Sequence, residues 1–163
     1  MLKSHFQMFA AYNKWANEGL YAAADTLSDD QVNQHVGVFF GSLLGTLNHI
    51  VTTDKIWLRR VTGAGAHPDR LNATISADLS ELRVIALEQA DRLIAHIDSL
   101  DENQFDANFE YETLGGVKHQ QLRRESLAHL LNHQTHHRCQ ATTCFTLLGV
   151  TPPSLDLLIF QRT

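Results

Sequence analysis

Two histidines four residues apart, His133 and His137, carry the clearest chemistry that this sequence offers. Residues with that spacing lie on one face of an α-helix, about one turn from each other. Two imidazoles so placed can bind one metal ion, as the zinc-binding His-x-x-x-His pair does on other folds. The alternative is a helix whose histidines are only hydrogen-bonded or solvated, and the pair alone does not separate the two interpretations.

The pair lies in an otherwise apolar stripe, within a run from 128 to 140 that holds four of the chain's ten histidines. The stripe also contains Leu127, Leu130, Ala141, Cys144 and Leu148. Polar side chains in such a stripe need partners. A third ligand from elsewhere in the chain would therefore favour the metal site.

His49 is the candidate for that third ligand, because it lies beside Leu47 and Ile50 in the stripe of another predicted helix. A single histidine in such a place is more often a core residue with a satisfied ring. If the two helices are neighbours, three neutral nitrogens can share one ion and leave a coordination position open. Asp54, four residues after Ile50, can orient a ligand histidine or form an ordinary interhelical ion pair.

The residue that follows His133 limits the chemistry of such a site. A metalloprotease helix carries a glutamate directly after its first histidine, where it acts as the general base. Here that position is Gln134, which cannot accept a proton. The sequence therefore argues against peptidase chemistry of that kind.

Four long amphipathic helices are predicted to position these residues. Their apolar residues recur at intervals of three and four from Leu2 to Leu27, from the cap Ser42 to Gly63, from about Ser76 or Asp78 to before Asp101, and from about Leu122 to Gly149. We expect Asn13 and Asn17, on the buried side of the first helix, to hydrogen-bond across helices. The predicted fold class is all-α, an antiparallel four-helix bundle, an architecture whose core commonly holds metal sites.

Two smaller elements are predicted near the end of the chain. Between Phe105 and Gln120, aromatic and charged residues alternate before a pair of glycines, which indicates a short hairpin or extended excursion before the last long helix. Two prolines then end that helix, and Ser154 is expected to cap a short C-terminal helix from Leu155 to Gln161.

Length and charge narrow the range of functions. A chain of 163 residues is expected to form one domain, residues 1–163, that folds on packing alone. The net charge of −5 and the scattered basic residues argue against nucleic acid as a partner. The most apolar run, Val36 to Val51, is too short and too interrupted to span a membrane. Adjacent Arg59 and Arg60 are most simply the solvated end of a helix.

The N-terminus and the cysteines indicate a cytoplasmic protein. The first residues enter an amphipathic pattern directly, without the apolar segment of a signal peptide. Cys139 and Cys144 lie five apart on one predicted helix, so their side chains point in different directions and a disulfide is disfavoured. We therefore expect two reduced thiols.

Three groups of residues occur together in an order that is specific as a set. They are Tyr12, Asn13, Trp15, Ala16 and Asn17; then Gly45, Thr46, Leu47, Asn48, His49 and Ile50 with Asp54 and Trp57; and finally Asn132, His133, Gln134, Thr135, His136, His137 and Arg138 with Gln140. With them the chain resembles the DinB family of DinB/YfiT-like metalloenzymes over nearly its whole length. The resemblance implies a four-helix bundle that holds a divalent metal on three histidines, here His49, His133 and His137. It also suggests a homodimer.

One position departs from the family pattern. The family commonly has a glycine where this chain has Cys139, and the difference bears on the packing of that helix face. Cys139 lies about 200° round the helix from His137, which makes it a poor fourth ligand. His129 and His136 lie near the pair and are candidates to support or replace a ligand.

The resemblance suggests two functions of different classes. The wider superfamily includes bacillithiol transferases and mycothiol-dependent maleylpyruvate isomerase, so the first hypothesis is a metal-dependent thiol transferase or hydrolase acting on a small electrophile. In it the metal, which we expect to be zinc, nickel or iron, activates water or a low-molecular-weight thiol. His136 or His129 would relay a proton, and Arg59 or Arg138 would contact an acidic group of the cosubstrate. The second hypothesis is a non-catalytic, stress-associated metal-binding protein.

Overall fold

The computed structural model describes residues 1–163, and most of them are helical. The helices are α1 (Leu2–Ala24), α2 (Asp29–Asn33), α3 (Leu43–Thr62), α4 (Leu79–Ser99), α5 (Arg123–Leu147) and α6 (Leu157–Phe160), with a 3-10 helix at Glu102–Asp106. Two antiparallel strands, β1 (Asn108–Glu112) and β2 (Lys118–Leu122), form a hairpin before α5. The all-α fold class is confirmed, and the hairpin lies in the segment where the sequence predicted one.

The four long helices pack as a ring in which each contacts two others. α1 packs against α4 and α5, and α3 packs against the same two helices. The neighbouring positions of α3 and α5 are what a site built from His49, His133 and His137 requires. No helix combines the length and the apolar character needed to cross a membrane.

A layer of polar side chains divides the buried core into two apolar clusters. One cluster includes Leu20, Leu47 and Phe145, and the other includes Phe6, Leu58 and Leu130. Between the clusters, each long helix contributes buried polar residues, which are Asn13 and Asn17 of α1, Asp54 of α3, Gln89 of α4, and Gln134 and Arg138 of α5. The histidines of α5 lie in this same layer of the bundle.

Local signals explain where the site-bearing helices begin and end. The hydroxyl of Ser42 accepts a hydrogen bond of 3.0 Å from the amide of Gly45, which is the predicted N-cap of α3. Gly63 ends α3 in a left-handed conformation, with φ of 72°, that a side chain would disfavour. Asp78 caps α4 through the amide of Glu81, so the later of the two predicted start positions is confirmed.

Two short helices differ from the sequence predictions. α2 was not predicted, and its N-cap is Ser28, whose hydroxyl accepts a hydrogen bond of 3.2 Å from the amide of Gln31. The C-terminal helix begins after Asp156, so the predicted cap at Ser154 is wrong. The reason is that the carbonyl of Leu155 accepts a hydrogen bond of 2.8 Å from the Tyr12 hydroxyl, which holds this segment against α1. Both cysteines are free, as predicted.

Candidate metal centre

Three histidines from two helices converge between α3 and α5. One nitrogen from each of His49, His133 and His137 lies within 4.8 Å of the other two. The ring centroids are 4.2 Å apart for His133 and His137, 4.5 Å for His49 and His137, and 5.2 Å for His49 and His133. His49 and His137 are buried, and His133 is half-buried. The three histidines that the sequence singled out therefore meet in one place.

One nitrogen separation already matches that of two ligands on one ion. The Nε2 atoms of His49 and His133 are 3.4 Å apart. Two nitrogens at about 2.0–2.1 Å from a tetrahedral zinc ion would lie about 3.3–3.4 Å apart. The His49–His133 pair thus fits a shared divalent ion.

Hydrogen bonds on the far side of two rings orient their lone pairs towards one another. Nδ1 of His49 donates to the carbonyl of Leu71 at 2.9 Å, and because a carbonyl only accepts, the lone pair of His49 lies on Nε2. Nδ1 of His137 lies 2.8 Å from Oε1 of Gln140, which likewise leaves Nε2 of His137 free to coordinate. A carbonyl or amide partner on the outer nitrogen is typical of metal-bound histidine.

The electrostatics of the cluster favour neutral imidazoles, the form that binds metal. Burial lowers the pKa of His133 to about 3, and the neighbouring histidines, His137 and His49 foremost, oppose its protonation further. Burial also lowers the pKa of His49 and of His137, against the opposing effect of their hydrogen bonds to Leu71 and Gln140. His133 in addition has a buried Nδ1 without a hydrogen-bond partner. Three crowded, neutral nitrogen donors fit a divalent cation.

Phe40 forms a wall of the cluster that sequence reasoning missed. Its ring stacks on His49 at 4.0 Å between centroids and 18° between planes, and meets His137 at 5.5 Å. Gly45 permits this, because a Cβ on it would lie 2.2 Å from the carbonyl oxygen of Phe40. Gly41, with φ of 80°, turns the chain into α3 directly after Phe40. These two glycines were the only sequence signals for the wall.

A cleft of about 550 Å³ begins at this wall. It is lined by His49, by Phe39 and Phe40, and by the segment 72–74 that follows Leu71. Phe39 is 86% exposed. On the far side of the cleft, Oδ1 of Asn48 accepts hydrogen bonds from the backbone amides of Ile75 and Ser76, which holds that segment against α3. The histidine cluster thus adjoins a space large enough for a small molecule.

The two supporting histidines occupy different positions. His136 is exposed and lies edge-on to His137, with ring centroids 4.7 Å apart. Its Nε2 lies 3.3 Å from Nε2 of Gln140, which connects it to His137 through that amide. His129 is exposed, forms no hydrogen bond, and lies 5.9 Å from the His133 ring. The role of Gln140 was missed, although the residue was recognised within the motif.

Asp54 and Arg138 take part in a core network instead of the predicted contacts. Asp54 does not bond to a histidine, because its carboxylate accepts from the amide of Gln134. Arg138 donates to the side-chain oxygens of Asn13, Asn17 and Gln134. Neither alternative for Asp54 is found, because it bonds to no histidine and forms no ion pair. Arg138 is buried, and its guanidinium is engaged by this network rather than directed to the histidine cluster. The interhelical bonding predicted for Asn13 and Asn17 is confirmed.

The arginine pair at the end of α3 also differs from expectation. Arg59 is exposed and donates to the carbonyl of Gly63 at the end of its own helix. Arg60 is half-buried, with its guanidinium carbon 4.6 Å from the Trp57 ring centroid and 5.1 Å from that of Tyr111. Arg60 is thus not a solvated helix end, because the hairpin supplies an aromatic ring that covers it.

The chain is similar to known proteins over most or all of its length. The model of the DinB family matches residues 1–163. Protein DinB from Bacillus subtilis (strain 168) is 23% identical over 158 residues, which cover 92% of this chain and 91% of that protein. A crystal structure of a DinB-like protein from Bacillus cereus ATCC 10987 superposes with a TM-score of 0.69 at 18% identity, covering 90% of this chain and 94% of the other. That structure shares the fold.

Proposed function

The chain belongs to the DinB family, and from that premise we propose that it holds one divalent metal ion on His49, His133 and His137 to activate a small nucleophile. The nucleophile is water or a low-molecular-weight thiol, and the second substrate is a small electrophile. The observation that carries the proposal is the convergence of three nitrogen donors within 4.8 Å of one another. No acidic side chain belongs to that cluster, so a bound ion would keep its full charge.

The metal supplies one kind of chemistry, which is to lower the pKa of the water or thiol in its open coordination position. The protein residues supply the rest. His129 forms no hydrogen bond, and partial burial of its ring, followed by the charge of Arg60, lowers its pKa, which favours the neutral form that can accept a proton. In the thiol reaction, the thiol proton passes to His129, sulfur bonds to the electrophilic carbon, and the leaving group departs with its electron pair.

The neighbouring side chains limit the reaction class. Gln134 is bonded to Asp54 and Arg138, so it is held away from the cluster and cannot act as a base. Phe39 and Phe40 give the adjoining cleft an apolar wall. Both features support a small, partly apolar substrate over a peptide.

Metal content tests the ligand set directly. Protein purified without an affinity tag is expected to contain about one divalent ion per chain, and His49→Ala is expected to lose most of it while remaining folded. His67→Ala is the matched control, because His67 is exposed and bonds only to the carbonyl of Pro68. Unchanged stoichiometry in His49→Ala would remove His49 from the ligand set.

Turnover separates the enzyme from a metal-binding protein without activity. The metal-loaded protein is offered alkyl halides, epoxides and activated aryl halides, each with and without a small thiol. Consumption only in the presence of thiol supports the transferase, and consumption without thiol supports the hydrolase. A fully loaded protein that consumes none of them would favour the non-catalytic alternative.

A further inference from the structure

Arg60 is half-buried, and no acidic side chain of the protein pairs with its charge. It lies in the last turn of α3, half-buried, with its guanidinium over the faces of Trp57 and Tyr111. Stacking on aromatic rings leaves the N–H groups at the edge of the guanidinium free to donate. Arg60 nevertheless forms no hydrogen bond and no ion pair with any other residue of the protein.

The other partly buried arginines show how unusual this is. Each has at least one bonded partner, which is Asp25 for Arg83, Gln89 for Arg92, the carbonyl of Val61 for Arg123, and Asp106 for Arg124. A partly desolvated charge is costly unless it is paired. Arg60 is therefore equipped to bind an anion that is not part of the chain.

A row of rings connects Arg60 to the histidine cluster. The guanidinium of Arg60 lies over the ring of Trp57, and the ring centroids of Trp57 and His129 are 4.9 Å apart. His129 lies 5.9 Å from His133. This row leads away from the cleft of Phe39 and Phe40 towards a second cleft, which Arg60 lines. A molecule lying along the row, with one end at the cluster and the other at Arg60, would be the second of the two reactants.

The acidic side chains around Arg60 favour anions of low charge over anions of high charge. The cleft beside it, about 500 Å³, is also lined by three carboxylates, those of Asp69, Glu110 and Glu112, and by one further cation, Arg59, so the acidic side chains outnumber the arginines. None of these carboxylates pairs with Arg60, and both glutamates lie on the exposed face of β1. Their repulsion grows with the charge of the ligand, so this rim disfavours a phosphate dianion relative to a single carboxylate.

We propose that Arg60 is the anion-binding residue of the substrate site, and that it takes the carboxylate of a small organic acid whose reactive group lies at the histidine cluster. The reactive end of this arrangement rests on the function proposed above. The anionic end depends only on Arg60 and its aromatic support.

The first experiment tests whether Arg60 binds a carboxylate when no metal is present. Metal-free protein labelled with ¹⁵N is titrated with glutarate and, separately, with neutral glutaramide, while the Nε–Hε resonance of Arg60 is followed. The resonance, assigned by its loss in Arg60→Gln, is expected to shift with glutarate only. No shift with glutarate would overturn the proposal.

The second experiment tests whether one molecule can bind the metal through its thiol and Arg60 through its carboxylate. Protein loaded with Co²⁺ is titrated with 6-mercaptohexanoate and 8-mercaptooctanoate and with the matching mercaptoalcohols, and thiol binding is followed by the cobalt–thiolate absorption. We expect at least one acid to bind about 10-fold more tightly than its alcohol, which corresponds to one hydrogen-bonded charge pair. The preference should vanish in Arg60→Gln, persist in part in Arg60→Lys, and be unchanged in Arg83→Gln, which removes a distant charge.

The outcomes separate this inference from the proposed function. If acids and alcohols bind equally and the Arg60 resonance does not shift, the anion site is excluded while the metal site stands. If no thiol binds to cobalt but glutarate shifts the resonance, the anion site stands and the proposed activation of thiols fails.

Discussion

The two faces of α5 hold polar side chains at the same level of the bundle, yet in opposite states. On one face, Arg138 and Gln134 are saturated, because the guanidinium donates to three amide oxygens and Gln134 also donates to Asp54. On the other face, His133 and His137 meet His49 with their nitrogens turned towards one another. Apart from Nδ2 of Asn17, the first set finds its partners inside the protein, whereas the second set presents nitrogens that the proposed cation would bind.

Structural and functional polar residues of one helix differ in whether their hydrogen bonds are satisfied inside the protein. A closed network adds stability and fixes how helices align, and no ligand is needed to satisfy it. A crowded cluster of neutral imidazole nitrogens gains stability when a ligand binds, so its contribution to stability depends on that ligand. Variants on the two faces should therefore fail in different ways.

The largest effect is expected from opening the closed network. Arg138→Met leaves three buried amide oxygens without their donor and should lower the free energy of unfolding by about 3–5 kcal/mol. Chemical denaturation of metal-free protein measures this, with Arg83→Met as control, because loss of its solvent-accessible, partly exposed pair with Asp25 should cost at most about 1 kcal/mol. A cost below about 1 kcal/mol for Arg138→Met would mean that the network is not structural.

Removing a histidine from the cluster should have the opposite effect: it should leave the stability of the metal-free protein unchanged and abolish stabilisation by metal. His133→Leu removes a half-buried imidazole whose buried Nδ1 has no partner, so the metal-free variant should be about as stable as the parent protein. At a free metal concentration of about 100 times the dissociation constant, the parent should gain about 2.7 kcal/mol, and the variant should gain nothing. His129→Leu should keep the gain. Thermal unfolding with and without zinc measures it, and a large loss of stability in metal-free His133→Leu would make the cluster structural.

The same contrast explains how much the sequence could predict. The i, i+4 spacing of His133 and His137 and the apolar stripe around His49 are local patterns, and they predicted the helices and the candidate ligands. The convergence of the three histidines also required α3 and α5 to be neighbours, which sequence reasoning supplied only as a condition. The hydrogen bonds of Arg138 could not be predicted in this way, because its three amide acceptors come from α1 and α5 and depend on how these helices pack.

Contacts made by irregular segments were equally beyond the sequence patterns. Phe40 reaches His49 from a loop whose path depends on two glycines, and Arg60 is covered by Tyr111 of a hairpin about fifty residues later in the chain. Helical periodicity describes which face of a helix is buried, but it does not describe what covers that face. The candidate ligands were therefore predictable, while the walls of the site were not.

A smaller effect is expected from Gln140, which links the cluster to the exposed His136. Gln140→Leu removes the hydrogen bond to Nδ1 of His137 while leaving all three candidate ligands in place. Outer partners of this kind are typically worth about 10–100-fold in metal affinity, so we expect a loss in that range with unchanged stoichiometry at saturation. Competition with a chromophoric chelator measures it. Affinity equal to that of the parent would show that Gln140 does not orient the ring.

The smallest effect tests the closed network by pH. Burial raises the pKa of Asp54 to about 7, against the opposing effects of the Gln134 hydrogen bond and the Arg138 charge. Between its ordinary value near 4 and this value, the folded protein keeps a proton that the unfolded chain releases, so the Asp54 contribution to stability falls as pH rises through this window. Asp54→Asn cannot ionise and keeps an oxygen for Gln134. The free energy of unfolding of metal-free Asp54→Asn, relative to the parent, should therefore rise by about 1 kcal/mol or more from pH 5 to pH 8. Because the histidines titrate in both proteins, their effects cancel in this difference, and a difference that is constant with pH would mean that Asp54 is ionised as an ordinary carboxylate beside Arg138.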